Sequence, residues 1–119
     1  MTSKCRILVV DDDRDTCEVV LSALAECGFE TRCAYDAPSA LAALEGGLPD
    51  VLLIDVRLGS QNGEHVVDRM RAMPGGAQVQ VIFMTGDYRQ RLMNAALLRK
   101  PFELRELEAA VSQACEDAA

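Results

Sequence analysis

The sequence lacks several features that would place it in a membrane or nucleic-acid class. None of its apolar runs approaches the roughly 20 residues that a membrane-spanning helix needs, and no signal-peptide pattern opens the chain. Basic residues are in the minority, with 12 Lys and Arg against 19 Asp and Glu and a net charge of −7. This balance argues against binding the phosphate backbone of a nucleic acid. We therefore expect a cytoplasmic protein whose partners include neither a nucleic acid nor a membrane.

Paired cysteine motifs are also missing. The five cysteines, at positions 5, 17, 27, 33 and 115, show no spacing typical of a metal site or a redox motif. Several fall on apolar positions of predicted elements, which favours thiols buried in the core, with a cysteine redox switch as the alternative. No glycine-rich phosphate loop follows the first apolar run, so a nucleotide or flavin site is not predicted.

The composition fits one globular domain spanning residues 1–119. Of the 119 residues, 50% are hydrophobic, which is enough for one sizeable core. No linker, repeat or low-complexity segment interrupts the chain, and we expect no attached output domain.

Five short apolar runs alternate with segments of helical periodicity. The predicted strands cover residues 5–10, 29–34, 51–55, 79–84 and 97–99. The first predicted helix begins with a capping box of Asp15 and Glu18, and the last has an apolar stripe that comprises Leu104, Leu107, Val111 and Ala114. Such alternation is typical of a parallel sheet with helices on both faces. We predict an α/β fold, a flavodoxin-like three-layer sandwich with a five-stranded parallel sheet of order 2-1-3-4-5.

The region before the fifth strand is too short for a regular helix and strand. Fourteen residues separate Thr85 from Lys100, whereas a loop, a helix, a second loop and a strand need about 20 or more. We predict that the fourth helix is short or missing and that residues 86–96 form an irregular crossing with local mobility.

Acidic side chains end two of the predicted strands. Asp11 and Asp12 follow the first strand, and Asp55 ends the third. In the predicted order these strands are neighbours, so the three carboxylates should meet at one edge of the sheet. Converging carboxylates repel one another unless a cation lies among them, and Mg²⁺ favours carboxylate and water ligands. The sequence therefore predicts a Mg²⁺ site, with the positive charge of Lys100 opposite the acids.

Four motifs occur in order along the chain: Val9-Val10-Asp11-Asp12-Asp13, Leu53-Ile54-Asp55, Phe83-Met84-Thr85-Gly86 and Lys100-Pro101-Phe102. Together they resemble the signature of a response-regulator receiver domain, and the resemblance covers nearly the whole chain. It implies a phosphoacceptor of two-component signalling, which takes a phosphoryl group from a sensor histidine kinase with Mg²⁺. Such a protein is not an enzyme, although it assists its own phosphorylation and dephosphorylation.

The resemblance implies a role for each matching acid. Asp55 corresponds to the phosphoacceptor, whose carboxylate becomes an acyl phosphate and also binds the metal. Asp12 corresponds to the direct metal ligand and Asp11 to an acid that binds the metal mainly through water. The main-chain carbonyl of Arg57 corresponds to a further metal ligand.

Two further residues complete the implied catalytic set. Thr85 corresponds to the switch hydroxyl and Lys100 to the lysine that pairs with the phosphoryl group, with a cis peptide expected before Pro101. Taken singly, the motifs have simpler interpretations: Asp11 and Asp12 could form a solvated turn that caps a helix, and Thr85 could be an ordinary hydroxyl at a strand end. Lys100-Pro101 could be a turn that starts a helix. We also expect Asp13 or Asp15 to cap the first helix.

Some positions depart from the family pattern. Gly59 stands where the family usually has proline, and Leu97 where it has the aromatic residue of the switch. The segment Phe83-Met84-Thr85-Gly86-Asp87-Tyr88 resembles that of stand-alone receivers with a reduced fourth helix, which occur alongside histidine kinases of the HWE class. We therefore hypothesise a kinase of that class as the partner, and Tyr88 as the replacement for the missing aromatic switch.

Receiver function is the interpretation that we favour. Phosphorylation would act through Thr85 and Lys100 to alter binding to an unknown downstream protein, and we expect a monomer or weak dimer. The alternative is a non-phosphorylated pseudo-receiver that acts as a protein-interaction module, but the acids and the lysine argue against it. A hydrolase with an aspartyl-phosphate intermediate would need a second acid shortly after the nucleophile, and position 57 is Arg.

Overall fold

The computed structural model describes residues 4–86 and 96–118, which form a five-stranded parallel sheet, a small two-stranded sheet and four α-helices. The strands are β1 (Arg6–Val10), β2 (Glu30–Ala34), β3 (Val51–Asp55), β4 (Arg57–Leu58), β5 (Gln61–Asn62), β6 (Gln80–Thr85) and β7 (Ala96–Arg99). The helices are α1 (Arg14–Glu26), α2 (Ala37–Gly46), α3 (Gly63–Arg71) and α4 (Leu104–Ala118), with a 3₁₀ turn at Gly76–Gln78.

The large sheet has the strand order β2-β1-β3-β6-β7. Since β4 and β5 form a separate hairpin, β6 and β7 are its fourth and fifth strands, and the predicted order 2-1-3-4-5 is confirmed. The predicted bounds of these five strands differ from the observed ones by at most one residue at each end. Short apolar runs of this kind form strands that are buried on both faces, and β1 and β3 are buried along nearly their whole length.

Side chains of the sheet alternate between two hydrophobic layers. Leu8 and Val10 of β1 face α2 and α3, whereas Ile7 and Val9 face α1 and α4. The helices contribute to the first layer Ala40, Leu44, Val66 and Met70, and to the second Cys17, Val20, Leu24, Leu107 and Val111. The period of two along a strand thus builds both cores from one continuous apolar run.

The start of α1 corrects one local prediction. Its N-cap is Asp13, which has an extended backbone and accepts hydrogen bonds from the N–H of Asp15 and the hydroxyl of Thr16, both at 3.0 Å. The predicted capping box of Asp15 and Glu18 is therefore wrong, and of the two predicted candidates for the cap, Asp13 is confirmed. Asp15 lies in the first turn instead, where its negative charge interacts favourably with the helix dipole.

The apolar stripe of α4 also needs one correction. Leu107, Val111 and Ala114 are buried as predicted, but Leu104 is 46% exposed. It lies in the first turn of α4, beyond the carboxyl edge of the sheet, where it lines an open groove with Val19.

None of the helices in the described part of the chain has the length and apolar character that crossing a membrane requires.

Two predictions concern a segment outside the described residues. The short or missing fourth helix and the role of Tyr88 both fall on residues 87–95, which the described ranges do not include. Leu97 is described: it lies in β7, pairs with Phe83 of β6 and is partly buried against the core.

The cysteines do not all behave as the predicted core thiols. Cys5 and Cys115 form a disulfide, with Cα atoms 6.0 Å apart. Cys5 lies directly before β1 and Cys115 in the last turns of α4, so the bond joins two ends of the chain that packing of α4 on the sheet brings together. Sequence spacing could not reveal this pair because the two residues are 110 positions apart. Cys17 is a buried free thiol, whereas Cys27 is exposed.

We predict that removal of this disulfide strongly destabilises the protein. A cross-link between residues 110 positions apart reduces the entropy of the unfolded chain, and the loop-closure model gives about 5 kcal/mol for a loop of this size. The double variant Cys5→Ser/Cys115→Ser should lose roughly that free energy of unfolding, measured by urea denaturation without reductant. Cys27→Ser is the matched control and should stay within about 0.5 kcal/mol of the parent, because its side chain is exposed. A double variant with the urea midpoint of the parent would contradict the prediction.

Candidate functional site

Three carboxylates meet at the carboxyl edge of the sheet. Asp11 and Asp12 follow β1 directly, and Asp55 is the last residue of β3. Because Val10 of β1 pairs with Ile54 of β3, the residues that come next on the two strands lie side by side. One carboxylate oxygen from each of the three acids lies within 4.8 Å of the others.

The three acids differ in their exposure to solvent. Asp11 is fully buried, Asp55 is half-buried and Asp12 is exposed. The first turn of α1 holds the buried acid: Oδ1 of Asp11 accepts a hydrogen bond from the N–H of Asp13 at 3.0 Å. The thiol of Cys17 donates to the main-chain carbonyl of Asp11 at 3.3 Å. The site is thus anchored on its inner side and open on its outer side.

Lys100 places a positive charge between two of the acids. Its ammonium group donates to Oδ2 of Asp11 at 2.6 Å and to Oδ2 of Asp55 at 2.7 Å. The lysine follows β7 directly, and its main-chain N–H donates to the carbonyl of Thr85 at the end of β6, at 2.7 Å. Parallel pairing of β6 with β7 therefore brings this side chain across to the acids.

The protonation equilibria reflect a balance of burial and charge pairing. Burial raises the pKa of Asp11 above its ordinary value, and the hydrogen bond from Lys100 only partly offsets this effect. Burial opposes the charge of Lys100, but its hydrogen bonds to Asp11 and Asp55 outweigh burial and raise its pKa. The lysine therefore carries its positive charge throughout the neutral pH range.

The hairpin after β3 lies beside the open side of the site. Its strands pair Arg57 with Asn62, and two main-chain N–H groups point at the acids. That of Arg57 donates to Oδ1 of Asp55 at 2.9 Å, and that of Gly59 donates to Oδ2 of Asp12 at 3.1 Å. A Cβ atom at Gly63 would overlap the main-chain carbonyl of Asp55, so a glycine is needed where α3 starts beneath the site.

Most of the predicted site residues come together. Asp11, Asp12, Asp55 and Lys100 form one cluster, and Thr85 is buried at the adjacent strand end. The peptide bond between Lys100 and Pro101 is cis, as predicted. Arg57 contacts Asp55 through its N–H; the role of its carbonyl as a metal ligand stays a prediction.

Two contacts of the site were not predicted from the sequence. The N–H of Gly59 reaches Asp12, and the thiol of Cys17 reaches the carbonyl of Asp11. The absence of proline at position 59 is a usable signal for the first, because it leaves an N–H available. No sequence signal identifies the second, since a cysteine on the buried face of a helix looks like any other small core residue.

The donor set fits a magnesium ion. All the candidate side-chain ligands are carboxylate oxygens, which Mg²⁺ prefers together with water and phosphate oxygens. Asp11, Asp12 and Asp55 would hold it, and their negative charges exceed the single positive charge that Lys100 brings to Asp11 and Asp55. The cluster is therefore attractive to a further cation.

Several known proteins resemble this chain in structure or in sequence. A putative response regulator from Chloroflexus aurantiacus has a TM-score of 0.87 and 30% sequence identity, with 96% of this chain and 99% of that chain covered. An uncharacterized 14.6 kDa protein from the sodA1 3′ region of Leptolyngbya boryana is 35% identical over 92% of this chain and 88% of its own length. The regulatory protein AtoC of Escherichia coli is 34% identical over 98% of this chain, which spans 26% of AtoC.

The family model described as the response regulator receiver domain matches residues 7–112. This match includes the three acids, Thr85 and Lys100, together with the five strands of the large sheet except Arg6, the first residue of β1. The chain therefore belongs to the family of response-regulator receiver domains.

Proposed function

We propose that this protein is a phosphoacceptor response regulator in which Asp55 takes a phosphoryl group from a phosphohistidine of a sensor histidine kinase. The observation that carries the proposal is the contact of Lys100 with both Asp55 and Asp11, at 2.7 and 2.6 Å. This cation lies beside the carboxylate that would react, where negative charge must be neutralised before an anionic phosphoryl group can approach.

The transfer forms one bond and breaks another. A carboxylate oxygen of Asp55 bonds to phosphorus, the P–N bond to the imidazole breaks, and its electron pair returns to the ring nitrogen. Lys100 attracts the phosphoryl oxygens electrostatically, while the N–H of Arg57 holds the other oxygen of the carboxylate in place. Bound Mg²⁺, held by Asp11, Asp12 and Asp55 with the carbonyl of Arg57 as a further ligand, would neutralise charge on the phosphoryl oxygens.

Thr85 and Lys100 would report the phosphorylated state. Phosphorylation replaces one carboxylate charge by a larger negative charge, so the hydrogen bonds of Lys100 must be redistributed. Thr85 lies at the end of the neighbouring strand, with its main-chain carbonyl bonded to the N–H of Lys100, and its hydroxyl would follow the phosphoryl group. The rearranged surface would then bind a downstream protein differently. The hypothesised phosphoryl donor is a histidine kinase of the HWE class, and the expected location of the protein is the cytoplasm.

The alternative is a pseudo-receiver that binds partners without phosphorylation. Leu97 favours it, because this leucine stands at the position of the usual aromatic switch and is partly buried in the core. The assembled acids and the lysine favour phosphorylation instead. A protein that only binds partners does not need charged side chains that converge in a partly buried site.

Phosphorylation at Asp55 can be tested by intact mass. We expect the protein, incubated with a small phosphodonor such as phosphoramidate in the presence of Mg²⁺, to gain one phosphoryl group. Asp55→Asn should gain none, because the amide is not a nucleophile, and a chelator should abolish the adduct on the parent. Asp50→Asn is a matched control, since Asp50 contacts Arg6 away from the site, and it should be modified like the parent. Equal modification of Asp55→Asn would show that the site is wrong, and no modification of the parent would favour the pseudo-receiver.

Lys100 should also stabilise the metal-free protein. Lys100→Met would leave Asp11 and Asp55 facing each other without a shared cation, and we expect a loss of about 3 kcal/mol in the free energy of unfolding at pH 7. Mg²⁺ should recover part of this loss. The pKa of Asp11, already raised by burial, should rise further, so the deficit should shrink as the pH falls and the folded state takes up a proton.

Urea unfolding of Lys100→Met at several pH values, with and without Mg²⁺, measures these effects. Lys4→Met is the matched control, because Lys4 is exposed outside the sheet, and it should unfold like the parent. If Lys100→Met were as stable as the parent in the absence of Mg²⁺, the ion pairs of Lys100 would not contribute to the fold.

A further inference from the structure

We infer that the main-chain N–H of Gly59 is a positioning group for Asp12 and thereby sets the affinity of the site for Mg²⁺. The inference rests on the proposed function, because it concerns the same metal site. Its observation is the hydrogen bond from the N–H of Gly59 to Oδ2 of Asp12, at 3.1 Å, between residues 47 positions apart.

The hairpin aims this donor. β4 and β5 pair Arg57 with Asn62 and Leu58 with Gln61, which leaves Gly59 and Ser60 as a two-residue turn. Gly59 has a φ of +63°, in the left-handed region that favours glycine. Proline, which the family usually has at this position, could supply neither this donor nor this angle, since it has no N–H and its φ is fixed near −65°. Glycine thus provides both the donor and the backbone angle that directs it at Asp12.

Asp12 is the acid that gains most from such a partner. Asp11 is buried, and Lys100 holds both Asp11 and Asp55. Asp12 is exposed, so without a fixed partner its side chain would exchange between rotamers in solvent. A hydrogen bond to an ionised carboxylate is stronger than one between neutral groups, and here it keeps one oxygen of Asp12 turned toward the hairpin and the carboxylate near the other two acids.

The expected consequence is a change in metal affinity. Hydrogen-bond partners of metal-binding carboxylates typically contribute about 10- to 100-fold to affinity, because they orient the ligand before the metal arrives. Loss of the N–H at position 59 should therefore weaken Mg²⁺ binding by about tenfold. Loss of the glycine with retention of the N–H should have a smaller effect.

Three variants separate the donor from the shape of the turn. Gly59→Pro removes the N–H. Gly59→Ala keeps the N–H but strains the same φ, and its Cβ would lie 3.9 Å from Oδ2 of Asp12, an ordinary contact. Gly59→Asn keeps the N–H in a residue type that tolerates the left-handed region. Titration of each ¹⁵N-labelled protein with Mg²⁺ alone, followed by NMR, gives the dissociation constant without any phosphodonor.

We expect Gly59→Pro to bind Mg²⁺ about tenfold more weakly than the parent, and Gly59→Asn and Gly59→Ala to stay within about threefold. Equal binding by Gly59→Pro and the parent would overturn the inference, and so would an equal loss in Gly59→Ala and Gly59→Pro, because the turn rather than its donor would then matter. A parent that bound no Mg²⁺ would overturn the proposed metal site as well, which distinguishes the two failures.

A second measurement does not depend on the proline variant being folded. In the metal-free parent, the amide proton of Gly59 should exchange with solvent more slowly than in Asp12→Ala, which removes the acceptor but leaves the hairpin pairs intact. Asp15→Ala is the matched control, because Asp15 lies in α1 and its N–H bonds to Asp13; it should leave the exchange rate of Gly59 unchanged. Identical exchange in the parent and Asp12→Ala would show that the hydrogen bond does not form in solution.

Discussion

The structure depends on holding like charges together at one edge of a parallel sheet. Asp11 and Asp55 come from neighbouring strands whose register places them side by side, and Asp11 is fully buried there. Two carboxylates in such a place would repel each other and take up protons. Lys100 reduces the repulsion by donating a hydrogen bond to each of them, although burial still raises the pKa of Asp11. The same arrangement leaves an excess of acidic groups to which a metal ion could bind and places a cation beside the carboxylate of Asp55.

The fold delivers these groups by simple strand geometry. Each strand of the large sheet ends at the same edge, so the residue after an apolar run is carried to the site whatever its distance along the chain. This is why Lys100, 45 positions after Asp55, could be assigned to the site from the sequence. It is also why the predicted strand order alone was sufficient to predict that Asp11 lies next to Asp55.

Features that depend on backbone angles or on tertiary proximity could not be read in this way. The sequence left Asp13 and Asp15 as candidate caps of α1, and only the extended backbone of Asp13 decides between them. The Cys5–Cys115 disulfide joins positions that no local pattern relates. The hairpin of β4 and β5 has only two residues in each strand, which is too short for a periodic signal. Sequence patterns therefore identified the strands of the large sheet and the helices that cover it, but not the hairpin or the contacts that loops make.

Stability and function are separated along the length of β1. Cys5, which directly precedes the strand, is joined to α4 by the disulfide. The strand itself lies between the two hydrophobic layers and contributes side chains to both. Asp11 follows its last residue and carries the cost of a buried charge. Because the cross-link lies at the opposite edge of the sheet, it can offset that cost without restricting the acids, the lysine or the hairpin. The proposed function would need such freedom, because binding a metal ion and a phosphoryl group would change the hydrogen bonds of the site at each step.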